Sequence, residues 1–174
     1  AGYKNYGKDP WFFLRELAQN SRDAGATVIR VKAGRTPDNR EIIVFEDDGC
    51  GMTYGHALKY LFRLYASSKT NQKHSAGMFG IGFWTVFKFN PEKIFIESVS
   101  GNQKWGTAVD NNLDTERVKC KLEKQGTRIT LTRPPQEPSS EKFTESVEKA
   151  LIHYCSYLRR NNRNADPLPV YLGG

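Results

Sequence analysis

At 174 residues with 38% hydrophobic side chains, the chain is sized for one domain with a substantial core, which argues against a second full domain. Net charge is +7, from 26 basic and 19 acidic side chains, yet the cations are spread from Lys4 to Arg163, only Arg159, Arg160 and Arg163 cluster, and no nucleic-acid motif accompanies them. Cys50, Cys120 and Cys155, like His56, His74 and His153, are too isolated for a disulfide framework or a zinc set, and no apolar run approaches the roughly 18 residues of a membrane helix, so the expected setting is reducing, cytoplasmic and without a membrane.

Asp9 followed by Pro10 reads as a helix start, and Gly25 as its stop. Between them a helical step of about 100° puts Glu16, Asn20 and Asp23 in one narrow sector. Beside it runs an apolar stripe of Trp11, Phe13, Leu14, Leu17, Ala18 and Ala24, and Arg15, Gln19 and Arg22 take the solvent side. An acid, an amide and a second acid at that seam are either a solvated face or the place where a small ligand or metal meets the helix.

TVIRVKA (27–33) alternates as a strand with one buried face, Pro37-Asp38-Asn39 is a turn, and EIIVFED (41–47) is a second strand antiparallel to the first. It runs straight into DDGCGM (47–52). One reading of that run is a plain turn; the other is a loop whose glycines let a ligand lie against bare main chain while Asp47 accepts from an amino group. Thr53 to Tyr65 then reads as a helix, capped by Thr53, with Ala57, Leu58, Leu61, Phe62 and Tyr65 on one face.

Ala66 to Gly77 is polar and small, a flexible segment or, in a functional role, a mobile cover over a site. It leads into GMFGIGF, where Gly77, Gly80 and Gly82 precede an apolar helix, FWTVFKF. Unpaired backbone N–H groups at a helix start favour an anion. The glycine order reverses the dinucleotide fingerprint, and no G-x-x-x-x-G-K-[ST] occurs, which excludes a P-loop.

From Pro91 the period becomes two. Lys93–Ser100, Lys104–Asp110, Glu116–Leu122 and Gly126–Thr132 read as a strand meander walling the core, with Thr127 a hydroxyl at the mouth of the last strand. Pro134 to Ser140 is a connector, and Glu141 to Arg160 a long helix with Phe143, Val147, Ala150, Leu151, Tyr154 and Leu158 on one stripe. The expected domain is 1–160, with 161–174 a linker or the start of a following domain; without an initial Met, the chain reads as excised from a longer protein.

Three runs, E-x-x-x-N-x-x-D-A on a helix, D-x-G-x-G after a strand and G-x-x-G-x-G-F before a helix, with a GT-x-I-T-L strand behind them, resemble the GHKL ATPase superfamily. That group contains gyrase, the ninety-kilodalton heat-shock chaperone, histidine kinases and the MutL-type mismatch-repair proteins. The resemblance spans about Pro10 to Thr132 and is nearest to the chaperone and MutL types: QNSRDAGAT and EDDGCGM resemble MutL, KDPWFFLREL and GMFGIGFWTVF the chaperone.

The resemblance implies an α+β fold, a two-layer sandwich whose mixed, mostly antiparallel sheet carries helices on one face, with a nucleotide between helices and sheet under a lid at Ala66 to Ala76. It implies ATP and Mg²⁺ as cofactors. Glu16 would be the general base, Asn20 an oxygen ligand to the metal, and Asp23 a support. Asp47 would accept from the adenine amino group with Thr127 assisting, and Ala24, Gly51 and Met52 would line the base pocket. Gly77, Gly80, Ile81, Gly82 and Phe83 would present main chain to the phosphates, with Ser68 and Lys69 in the lid.

In the chaperone, gyrase and MutL types a basic residue from a following domain reaches the terminal phosphate. The expectation is therefore an ATPase that binds Mg-ATP, hydrolyses it weakly as a fragment, drives conformational change in a larger protein, and dimerises through segments outside 1–174. The alternatives are a non-hydrolysing ATP sensor and a histidine-kinase-type phosphotransfer domain. A nucleic-acid role for the parent protein stays open, with DNA-stimulated turnover as the distinguishing observation.

Overall fold

The computed structural model describes residues 8–62, 82–156, 158 and 167–173. Among these residues three α-helices, α1 (Phe13–Asp23), α2 (Tyr54–His56) and α3 (Ser140–Cys155), a π-helix (Ala57–Phe62) and a 3₁₀ helix (Phe83–Phe89) accompany seven strands. These are β1 (Ile29–Arg35), β2 (Glu41–Asp47), β3 (Lys93–Ser100), β4 (Gln103–Asp110), β5 (Thr115–Val118), β6 (Gly126–Arg133) and β7 (Val170–Gly173). They form one sheet in the order β5-β4-β3-β6-β2-β1-β7, antiparallel except for the parallel β1–β7 pair. The fold is the expected α+β sandwich with a mixed, mostly antiparallel sheet.

Alternation along the strands decides which face is buried. Register aligns Val31, Phe45, Ile129 and Ile96 across four adjacent strands, and Ala33, Ile43, Leu131 and Ile94 in the next row. All eight are buried, in one cluster with Phe13, Leu14, Leu17 and Ala18 of α1, Phe83, Val86 and Phe89 of the 3₁₀ helix and Phe143, Val147 and Leu151 of α3. The rows end in polar residues at both extremes. Asp47 pairs with Thr127, and Thr127 with Ser98, at one end; Glu41 faces Arg133 at the other.

That far end is a buried ion pair. Arg133 Nε donates to Glu41 Oε1 at 2.8 Å, its Nη1 donates to the Phe89 carbonyl at 2.6 Å, and the guanidinium lies 3.8 Å from the Phe89 ring centroid. Glu41 Oε2 also accepts from the Glu137 N–H at 2.8 Å, so both charges are satisfied.

Several elements differ from the sequence reading. FWTVFKF forms a 3₁₀ rather than an α-helix: three residues per turn eclipse i and i+3, which stacks Trp84 on Phe87 at 5.6 Å and 13°, while Thr85 Oγ1 donates to the Gly82 carbonyl at 2.6 Å. Asn90, in the left-handed region at φ 61°, ends it. Thr53 caps as expected, its hydroxyl accepting from His56 N–H, but α2 continues as a π-helix over Ala57–Phe62, leaving Leu58 48% exposed and off the apolar face.

Strand β1 starts two residues later than the alternation suggests, because Asp48 holds the Thr27 and Val28 N–H groups at 2.7 and 3.1 Å in place of a ladder partner. β5 is confined to Thr115–Val118, since Lys121 N–H instead donates to Glu97 Oε2 at 2.5 Å. α3, capped by Ser139, ends at Cys155. Val170–Gly173, inside the stretch read as linker or following domain, is the seventh strand of this sheet. No helix among the described residues is long and apolar enough to cross a membrane.

Candidate functional site

The polar end of the central strands is built around Asp47. Its Oδ2 accepts from Ser21 Oγ at 2.6 Å and its Oδ1 from the Gly49 N–H at 2.9 Å. Burial raises the carboxyl above its ordinary value, opposed by the bonds from Ser21, Gly49 and the Thr127 main chain. All three partners donate, which suits an ionised carboxylate, an acceptor-only group. Ser21 is itself buried on the sheet side of α1.

The loop after Asp47 is held tightly. Cys50 N–H donates to the Ala24 carbonyl at 2.8 Å, Trp105 Nε1 donates to the Met52 carbonyl at 2.7 Å, and Met52 N–H donates to Ser98 Oγ at 2.8 Å. Gly51 and Gly126 are required by their backbones, at φ 69° and 142°. A side chain on Gly51 would run into the Val99 carbonyl, and one on Gly126 into the Asp47 carbonyl. Ser98, fully buried, donates to the Gly126 carbonyl at 3.0 Å and lies 3.1 Å from Thr127 Oγ1.

One face of α1 continues the site. Glu16 is partly exposed, with Oε1 3.4 Å from Arg15 Nη1. A Cβ on Gly82 would sit 2.5 Å from Glu16 Oε2, so the carboxylate rests against bare main chain at the start of the 3₁₀ helix. Asn20, one turn on, is half-buried, and its side chain makes no hydrogen bond among the described residues.

The structure thus brings Asp47, Thr127, Gly51 and Met52 into one hydrogen-bonded floor, with Ala24 against it, and sets Glu16 beside Gly82. Phe83 points its side chain into the core, leaving only main chain to a ligand. The Asp23 side chain is 57% exposed and pairs with Arg22 at 3.6 Å, and the α1 residue bonded to Asp47 is Ser21. Ser68, Lys69, Gly77, Gly80 and Ile81, the lid at 66–76 and the Arg159, Arg160 and Arg163 cluster lie outside the described residues.

Two residues of the floor had a readable signal. Ser21 is seven residues after Leu14 and four after Leu17, a hydroxyl on the apolar stripe, and Ser98 continues the buried face of Ile94 and Ile96. A polar residue at a core position needs a partner, and each finds one at the site.

As for the nucleotide and metal that the resemblance implies, Asp47 is a partly buried carboxylate with donors on one side and acceptor capacity left over, which fits an amino-bearing base. No group of three or more His, Cys, Asp or Glu able to hold a metal occurs among the described residues. Asn20 could offer a metal one oxygen, with phosphates and water supplying the rest, an arrangement common for Mg²⁺.

Residues 9–146 match the family model described as histidine kinase-, DNA gyrase B-, and HSP90-like ATPase. Similar proteins include the chaperone protein HtpG of Chlorobium phaeovibrioides, 25% identical over 94% of this chain and 29% of that protein. The DNA mismatch repair protein MutL of Sphingopyxis alaskensis is 30% identical over 84% of the chain and 24% of its own length. HtpG of Mesorhizobium japonicum is 28% identical over 68% of the chain. The chain spans under a third of the length of these relatives.

Proposed function

Because the chain belongs to the histidine kinase-, DNA gyrase B- and HSP90-like ATPase family, we propose that it binds Mg-ATP between α1 and the sheet and hydrolyses it slowly, as the motor of a conformational cycle in a longer, dimerising protein. The observation that carries the reading is Asp47, a partly buried carboxylate whose protein partners are all donors and whose remaining acceptor capacity suits an adenine amino group. Thr127 assists from the next strand, and Ala24, Gly51 and Met52 line the base pocket.

Glu16 is the general base that orients or deprotonates water, and Asn20 holds the metal, which neutralises phosphate charge when bound. Gly82 and Phe83 offer main chain to the phosphates, continuing a glycine run whose Gly77, Gly80 and Ile81 act likewise under a lid carrying Ser68 and Lys69. The free state of Cys50, Cys120 and Cys155 supports a reducing, cytoplasmic setting.

Calorimetry with Mg-ATP tests the binding: heat of binding is expected from the unsubstituted chain and none from Asp47→Asn. Glu16→Ala is expected to keep ATP affinity while turnover of the full-length protein falls roughly 100-fold or more, the scale of general-base catalysis. The pairing of Glu16 with Arg15 favours a second reading, an ATP-binding sensor that does not hydrolyse. Full activity of the parent protein after Glu16→Ala would select it.

A further inference from the structure

Ser98 Oγ meets three polar groups, and their chemistry leaves one arrangement of protons. A serine hydroxyl has one hydrogen to give and two lone pairs to accept with. Met52 N–H, 2.8 Å away, can only donate to it. The Gly126 carbonyl, 3.0 Å away, can only accept, and so takes the one Ser98 hydrogen. The third neighbour, Thr127 Oγ1 at 3.1 Å, must then be the donor, giving its own hydrogen to the remaining lone pair of Ser98. Ser98 is fully buried, away from water that could relax this choice.

From this proton count we infer that Ser98 is a positioning residue for base selection: by holding the Thr127 hydrogen it presents Thr127 Oγ1 to the pocket as an acceptor. Thr127 then adds to the polarity of its ladder neighbour Asp47, whose bonds to Ser21 and Gly49 already make it an acceptor. A floor of acceptors favours a purine edge bearing an amino group and repels one bearing a carbonyl, because two facing lone pairs cannot bond and both are desolvated. The inference rests on the nucleotide reading above, yet assigns discrimination to a residue two strands from Asp47 that need not touch the ligand.

The test compares Mg-ATP with Mg-ITP, which carries a carbonyl where adenine carries its amino group, by calorimetry on the 174-residue chain. The unsubstituted protein is expected to prefer ATP. In Ser98→Ala the Thr127 hydroxyl is released to donate into the pocket, and the ATP:ITP affinity ratio is expected to fall roughly three- to tenfold, a hydrogen bond's worth. In a Thr127→Ala background the same Ser98→Ala change is expected to leave the ratio where it is. An unchanged ratio in Ser98→Ala, or an equal fall in both backgrounds, overturns the role of Ser98 while leaving ATP binding intact.

Because Ser98→Ala strips a partner from Met52 and Gly126 and can unfold the chain, hydroxyl-proton NMR on the unsubstituted protein reads the direction independently. A slowly exchanging Thr127 hydroxyl proton directed at Ser98 supports the assignment; a Ser98 hydroxyl proton directed at Thr127 overturns it. Absence of binding by either nucleotide removes the nucleotide reading itself, an outcome separate from the NMR result.

Discussion

Asp47 and Asp48 are neighbours in sequence with opposite electrostatics. Asp48 is exposed; despite some desolvation, bonds from the Thr27 hydroxyl and from the Thr27 and Val28 N–H groups hold its carboxyl below the ordinary value, and it serves as a clamp on the entry to β1. Asp47 is raised by burial. Its folded value lies above the unfolded one, so its favourable contribution is complete below the unfolded value and is lost as pH rises through the folded one. Relative to Asp47→Asn, the unsubstituted chain should therefore lose stability across that interval on going from acid toward neutral pH, measured as the difference in urea midpoint. A carboxyl resonance titrating below the ordinary aspartate value of 3.8 would contradict this.

The same residue stood out in sequence as a strand-final acid followed by two close glycines, a pattern that a plain turn fits as well. A helical wheel gives the direction of Asp23 but not where the sheet lies: Asp23 pairs with Arg22, and the α1 residue bonded to Asp47 is Ser21. Gly82 supplies a further test at this scale. Its backbone is ordinary, so Gly82→Ala adds a methyl group without strain, but that methyl meets Glu16 Oε2, the movable end of a side chain. The expected outcome is a stable protein with displaced Glu16: melting temperature within a few degrees, turnover of the full-length protein reduced about tenfold or more.

Strands β2 and β6 carry the candidate site at one end and a buried ion pair at the other. Asp47 and Thr127 occupy one end, Glu41 and Arg133 the other, with Ile43, Phe45, Ile129 and Leu131 between. Arg133→Leu leaves Glu41 buried without its main partner and should cost about 3–5 kcal/mol in denaturant unfolding. ATP affinity of the molecules that remain folded should hold. Gly51→Ala touches the opposite end: the left-handed backbone alone should cost about 1–3 kcal/mol, and the clash with the Val99 carbonyl should weaken nucleotide binding as well.

Element boundaries were readable where alternation met a clear stop, as for β2, β3 and β6. They were less so where a side chain outside the pattern took over: Asp48 delaying β1, Glu97 ending β5, aromatic stacking tightening FWTVFKF into a 3₁₀ helix.

Across the whole molecule, the family follows from three motifs whose order and spacing survive in one chain, and the α+β sandwich follows from the family and from the periodicity together. Pairings between strands that follow one another, such as β1 with β2, were legible from the short turns between them, whereas those between strands far apart in the chain were not, since a period of two says which side of a strand is buried and nothing about which distant strand lies beside it. Thus the meander of β3, β4 and β5 was readable, whereas the insertion of β6 between β3 and β2 and the return of β7 to β1 needed the structure.

That return shields the flank of β1. Without residues 167–174, four backbone positions of β1, from Ile29 to Lys32, lose their parallel neighbour and become a template for another chain. A chain shortened to residue 166 should then stick to itself, visible as a concentration-dependent rise in light scattering, where the 174-residue chain stays monodisperse.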